Sequence, residues 1–341
     1  MEMKRGWTYA RAGVDIDRKS RAIESLTRGL SYRREGKGRM VDAEGQFTGL
    51  IDFGEVYLTL CTDGVGTKLM VAEETGRWET VGIDCVAMNV NDTICVGAEP
   101  VAFVDYIAIH EPDEEITGQI GVGLGKGAEM SNMDIVGGEV AVLPEMVSGV
   151  DLSGTCLGMV PKGSMIDGST VSPGDLIVGL PSSGIHSNGL TLARRILRDQ
   201  GVGYGETPLG SGRSIGEELL EPTRIYVQEV LSLLESVPVK GMVNITGGGV
   251  RNLLRLGKGV GFELDDPMES QPVFDLLSSL GEVEEREMYQ TFNMGMGFAL
   301  VLEEEQAEEA LRHLEGAKVV GKVTSEEGVH LPHLQARFNS Y

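Results

Sequence analysis

The chain has 341 residues, with 29 Lys+Arg against 52 Asp+Glu and a formal net charge of −23. So acidic a surface repels nucleic-acid backbones and anionic membranes, which argues against either as a partner and leaves solubility or local metal recruitment as uses for the acids. A hydrophobic content of 41% suits a soluble globular protein, and the length is that of two domains.

In chain order, the N-terminal stretch MEMKRGWTYARAGVDID has no apolar signal core, and no membrane-length apolar run follows it, so the expected location is cytoplasmic. VYLTLCT (56–62) alternates and is rich in β-branched residues, which reads as a strand. Residues 79–98 read as a helix on the spacing of Val81, Cys85, Met88 and Val96, and VAFVDYIAI (101–109) as a second strand. A helix is expected over 115–132 and a strand at GTCLGMV (154–160). The turn-rich PKGSMIDGSTVSPGD (161–175) places a domain boundary there, giving domains 1–165 and 166–341.

In the second half, DLIVGLPS reads as a strand and LTLARRIL as a helix with Leu190, Ala193 and Leu197 on one face. MVNITGGGVRNLLRL reads as strand, glycine turn and helix start. GFALVL and KVVGKV are late strands. Between them Glu303 to Leu314 is a surface helix, with Ala307, Ala310, Leu311 and Leu314 inward and Glu308 placed for Arg312. Alternating strands and helices make the class α/β. The four cysteines, Cys61, Cys85, Cys95 and Cys156, lack CxxC spacing and sit in apolar stretches, as reduced, buried thiols do.

TDGVGTK (62–68) is neither a Walker A nor a GxGxxG motif. It still offers backbone N–H groups at Gly64 and Gly66, the Thr67 hydroxyl and the Lys68 ammonium, all suited to phosphate oxygens; a plain turn after a strand is the other reading. In IDCVAMNVNDTICVGAEP (83–100), Asp84, Asn89, Asn91 and Asp92 punctuate an apolar run. Asp84 and Asp92 lie about two helical turns apart, and either a divalent cation or helix capping with a solvated face accounts for them. Glu139 follows two glycines in an apolar setting, with capping as its alternative. PSSGIHSNGL places Ser182, Ser183, His186 and Asn188 just ahead of a helix start, an anion-binding arrangement, and ITGGG (245–249) is a second glycine turn of that kind. His330 and His333 fit a solvated loop. GVGLGKG (121–127) reads as a small-residue packing face.

Taken in order, YARAGVDID, TDGVGTK, GIDCVAMNVNDTICVGAEP, VGGE, SSGIHSNG, PTRIYV, ITGGG and MYQTFNMGMG resemble the phosphoribosylformylglycinamidine cyclo-ligase (AIR synthetase) family, from about Tyr9 to Gly297. The resemblance implies two α/β domains per subunit and a homodimer whose N-terminal domains pair in a barrel-like interface. It also implies a small-molecule nucleotide substrate, formylglycinamidine ribonucleotide, whose amide oxygen ATP phosphorylates before the imidazole ring closes. By the same resemblance Asp63, Asp92 and Glu139 hold Mg²⁺, and Gly64, Gly66, Thr67 and Lys68 grip phosphates. His186 and Asn188 stand at the reacting amide, with Asp92 and Lys68 also in the catalytic set, while Ser182, Ser183 and Thr246, Gly247, Gly248 and Gly249 hold a phosphate. The chain departs from the family pattern at Thr27, where many members carry lysine nearby, in a thinner glycine segment (44–54), at Asn244, where histidine is common, and at Met294. Selenophosphate synthetase is a related fold, but it carries a reactive Cys or selenocysteine near its N-terminus, and no cysteine precedes Cys61 here.

Overall fold

The computed structural model describes residues 6–42, 45–257 and 259–340. Glu44 of the thin glycine segment lies outside the described residues. The first half builds α1 (Ile16–Arg28), β1 (Met40–Val41), β2 (Gly49–Asp52), β3 (Val56–Gly64), α2 (Leu69–Thr75), α3 (Glu79–Ile94), β4 (Glu99–Ile109), α4 (Glu114–Met130), β5 (Asp134–Val142) and β6 (Val150–Pro161). The second half adds β7 (Leu176–Pro181), α5 (Leu190–Gln200), α6 (Ile215–Leu219), α7 (Val227–Leu234), β8 (Gly241–Asn244), β9 (Gly261–Glu263), α8 (Pro272–Gly281), α9 (Glu285–Thr291), β10 (Met296–Leu302), α10 (Glu304–His313), β11 (Lys318–Thr324), β12 (Gly328–Leu331) and β13 (Ala336–Phe338).

The α/β class holds, with mixed rather than parallel sheets. The first sheet runs β1-β2-β3-β6-β4-β5 and is curled into a half-barrel; within it β4 and β5 pair in parallel. The second runs β13-β12-β9-β11-β7-β10-β8, with β9 and β12 parallel. Register partners share a sheet face. Asp63, Gly154, Asp105 and Gly138 therefore point to the side that α3 covers, where the Cys61 thiol meets the Asn89 carbonyl. Gly64, Ser153, Tyr106 and Glu139 point to the opposite side. That outer side leaves Leu60, Val104, Tyr106 and Met159 between 38% and 43% exposed, so one face of the half-barrel is apolar and uncovered within the chain.

The expected packing face in GVGLGKG is present. A Cβ on Gly123 would overlap the Glu79 carbonyl, and one on Gly82 would overlap the Ile120 carbonyl, so α3 and α4 touch backbone to backbone. Three expectations need adjusting. Leu311 on α10 is 37% exposed, although Ala307, Ala310 and Leu314 are buried. His330 lies on β12 against Glu263 at 3.3 Å rather than in a loop. The segment after the glycine turn is a 3-10 helix, Gly249–Leu256. All four cysteines are free, Cys61 half-buried and the others buried.

Candidate active site

The polar residues of α3 are explained by partners far away in sequence. The helix is buried nearly all round, so each polar side chain needs its own hydrogen bonds. Oδ1 of Asp84 accepts from Lys68 Nζ at 2.9 Å, from the Thr223 N–H at 2.8 Å and from the Thr223 hydroxyl at 2.6 Å. Asn89 accepts the Asp63 N–H at 2.9 Å and so fixes the end of β3. Asn91 donates to the Arg224 carbonyl at 2.8 Å and accepts the Tyr226 N–H at 3.1 Å, seating PTRIYV. Asp92 accepts from Asn244 Nδ2 at 2.8 Å. One helix thereby bolts the two halves together and sets the acids.

Between the halves lies a recess of about 260 Å³ whose walls include Asp63, Asp92, Asn188, Thr246, Gly247 and Gly248. Tyr9, Lys19, Phe47, Arg251 and Arg255 complete its chemistry. Burial raises the pKa of the Asp63 carboxyl, while the Gly64 N–H and Lys19 pull it down. Burial pushes Asp92 up to about 7, with the neighbouring Asp63 charge adding to it and Asn244 and Arg255 opposing. In both acids desolvation outweighs the pull of the nearby cations, and both line the same recess. The glycine turn is shaped by the same site: a Cβ on Gly247 would stand 2.9 Å from Asn188 Oδ1. Gly249, at φ +55, folds against the Tyr289 carbonyl, where any Cβ would overlap. A larger cleft, about 820 Å³, is lined by Glu73, Glu111, Asp113 and Glu145 and has the wrong sign for phosphate.

The structure separates the other expected site residues from this recess. Lys68 is fully buried, 2.8 Å from Asp84 Oδ2, and donates to the Glu221 carbonyl at 2.6 Å, so its ammonium is committed inside the protein rather than free for a phosphate. Gly64 gives its N–H to Asp63 Oδ1 at 2.7 Å, Gly66 is exposed, and the Thr67 hydroxyl bonds that of Thr191 at 2.9 Å. Ser182 donates to Asn293 Oδ1 at 3.0 Å and Ser183 to the Pro222 carbonyl at 2.5 Å. His186, at φ +59, turns its ring inward, where Nε2 accepts the Ser183 N–H at 3.2 Å; burial pushes its pKa down to about 3, with Lys68 and Arg224 adding. It is a neutral imidazole holding the loop that presents Asn188. Glu139 is exposed on the outer sheet face, opposite Asp63, so the expected acid trio is not assembled within one chain. Among the described residues no three His, Cys, Asp or Glu side chains form a metal-holding group.

Two adjoining family profiles match, described as AIR synthase related protein, N-terminal domain, over residues 45–160, and C-terminal domain, over residues 172–333. The chain belongs to the AIR synthase related family. Among its relatives are the phosphoribosylformylglycinamidine cyclo-ligases of Methanosarcina acetivorans, 51% identical over 96% of this chain and 97% of that protein, and of Methanococcoides burtonii, 50% identical over 96% and 98%. Solved structures of similar fold include AaThiL complexed with AMPPCP and TMP, with a TM-score of 0.67 at 16% identity, covering 94% of this chain and 96% of that one. Another is the hydrogenase maturation protein HypE in complex with ATP, with a TM-score of 0.60 at 18% identity, covering 83% and 84%.

For this AIR synthase related chain, sequence reasoning missed the cationic wall. Arg251 and Arg255 stand four residues apart directly after the glycine turn, which was a legible signal. Arg255 lies over the Phe47 ring at 4.3 Å and Arg251 Nε donates to the Gly248 carbonyl at 3.3 Å, so both are held at the recess. Lys19 and Tyr9 belong to the N-terminal segment, whose arrival there no local pattern announces.

Proposed function

We propose that this chain catalyses ATP-dependent closure of formylglycinamidine ribonucleotide to aminoimidazole ribonucleotide, with release of ADP and phosphate, as a cytoplasmic homodimer in de novo purine biosynthesis. The observation carrying this reading is the interdomain recess, where two acids face a glycine turn and two arginines. Its domains are 1–165 and 166–341. The first supplies the carboxylates and Lys19, the second the glycine turn and two arginines.

Mg²⁺ fits this donor set. Asp63 and Asp92 are hard oxygen donors whose pKa desolvation raises against the pull of Lys19 and Arg255, and Mg²⁺ is commonly held by one or two carboxylates together with substrate phosphates. Bound there, it would supply charge neutralisation for phosphoryl transfer. Lys19, Arg251, Arg255 and the backbone N–H groups of Thr246, Gly247 and Gly248 take phosphate oxygens. Asn188 orients the formyl amide. The γ-phosphorus–oxygen bond to ADP breaks as the amide oxygen binds phosphorus, turning a poor leaving group into a good one. The amidine nitrogen then attacks that carbon, the carbon–oxygen bond breaks, phosphate leaves and the nitrogen loses a proton. His186, Ser182 and Ser183 serve by fixing the loop, and Lys68 by fixing the domain junction. The uncovered apolar face of the half-barrel supports a second copy as the dimer partner.

The test is direct. Purified protein given formylglycinamidine ribonucleotide, ATP and Mg²⁺ should release ADP together with a diazotisable aminoimidazole. ATP turnover that ignores the nucleotide substrate would sink the proposal.

A further inference from the structure

Resting on the metal assignment just made, we propose that Asn244 is the positioning residue for Asp92: its amide reaches across the domain junction and fixes the carboxylate in the orientation that a divalent cation requires. Asn244 is the last residue of β8, 3% exposed, and locked in the ladder opposite Phe298. Its Nδ2 donates to Asp92 Oδ1 at 2.8 Å across 152 residues of sequence. The amide orientation is fixed by chemistry, since the other rotamer would face oxygen to oxygen. Among the described residues this is the only side-chain hydrogen bond that the Asp92 carboxylate makes.

A neutral donor is what such a position calls for. An ammonium or guanidinium would cancel the carboxylate charge and compete with the cation. An amide restricts the rotamer and leaves the charge, and the remaining acceptor sites, for a metal. Directly after the strand, the chain passes through Ile245 into Thr246 and Gly247 at the recess wall. Asn244 therefore ties the carboxylate end of the site to its phosphate end.

The experiment is a Mn²⁺ titration followed by electron paramagnetic resonance on full-length protein with ATP, comparing the parent with Asn244→Ala and Asn244→His. The alanine variant should lose about tenfold or more in Mn²⁺ affinity, and histidine, which keeps an N–H to donate, should restore most of it. In turnover the loss should fall on kcat rather than on KM for the nucleotide substrate. If Asn244→Ala does not fold, Asn244→Leu, of similar size and unable to donate, carries the same expectation. A variant that only melts earlier, with Mn²⁺ affinity and kcat unchanged, would make Asn244 a mere staple and overturn the inference; so would a parent protein that binds no Mn²⁺. A parent that binds Mn²⁺ in an Asn244-dependent way but forms no aminoimidazole would instead overturn the ring-closure reading alone.

Discussion

At the scale of single residues, His186 and Asp92 respond to acid in opposite senses. The His186 imidazole is 3% exposed, and its pKa is pushed from 6.5 down to about 3, mainly by burial. Below pH 6.5 the unfolded chain takes a proton that the folded one refuses, so this contribution to stability is present above that pH and is lost toward pH 3. Asp92, pushed from 3.8 up to about 7 chiefly by burial, keeps a proton that the unfolded chain has released, so its contribution falls as pH rises across that range. From about pH 4 to 6.5 the two slopes oppose each other. We expect His186→Asn to uncover the Asp92 slope: metal-free protein should lose stability on going from pH 4 to 6.5, by up to roughly 1.4 kcal/mol per pH unit relative to the parent. Urea unfolding at stepped pH measures it. Parallel curves for parent and variant would refute the assignment.

Among elements, the α3–α4 contact gives a paired prediction. Gly123→Ala forces a methyl onto the Glu79 carbonyl and should cost about 1–3 kcal/mol. Gly121→Ala, on the same helix with nothing within 4 Å of its Cβ position, should stabilise by roughly 0.5–1 kcal/mol through helix propensity. Chemical denaturation of both variants reads the difference, and effects of equal sign would contradict the close-packed interface. The contrast also marks how far the sequence was legible. Periodicity located α3, α4, β4 and α5 to within a few residues, and the small-residue face of α4 was visible as such. The partners that Asp84, Asn91 and Asp92 find in the second half, Thr223, Arg224, Tyr226 and Asn244, were not, because they lie more than 130 residues away and spacing along one helix carries no information about them. Nor could Glu139 be assigned a sheet face, since that depends on register, and the β4–β5 ladder shifts between Phe103 and Val104.

For the whole molecule, the outer face of the half-barrel carries the next expectation. Leu60, Val104, Tyr106 and Met159 form an apolar stripe across three adjacent strands, in a chain whose net charge of −23 otherwise favours separation. Sedimentation should find a dimer, and Val104→Glu should shift it toward monomer by setting like charges against each other. A monomeric parent, or a dimer indifferent to Val104→Glu, would remove this face as the interface. Lys68 bears on how any such experiment is interpreted. Its ammonium joins Asp84 of the first half to the Glu221 carbonyl of the second, and removing one partner of a buried ion pair typically costs about 3–5 kcal/mol. An inactive Lys68 variant would therefore report a misassembled cleft before it reported anything about phosphate chemistry, and loss of turnover there is no signature of a catalytic lysine.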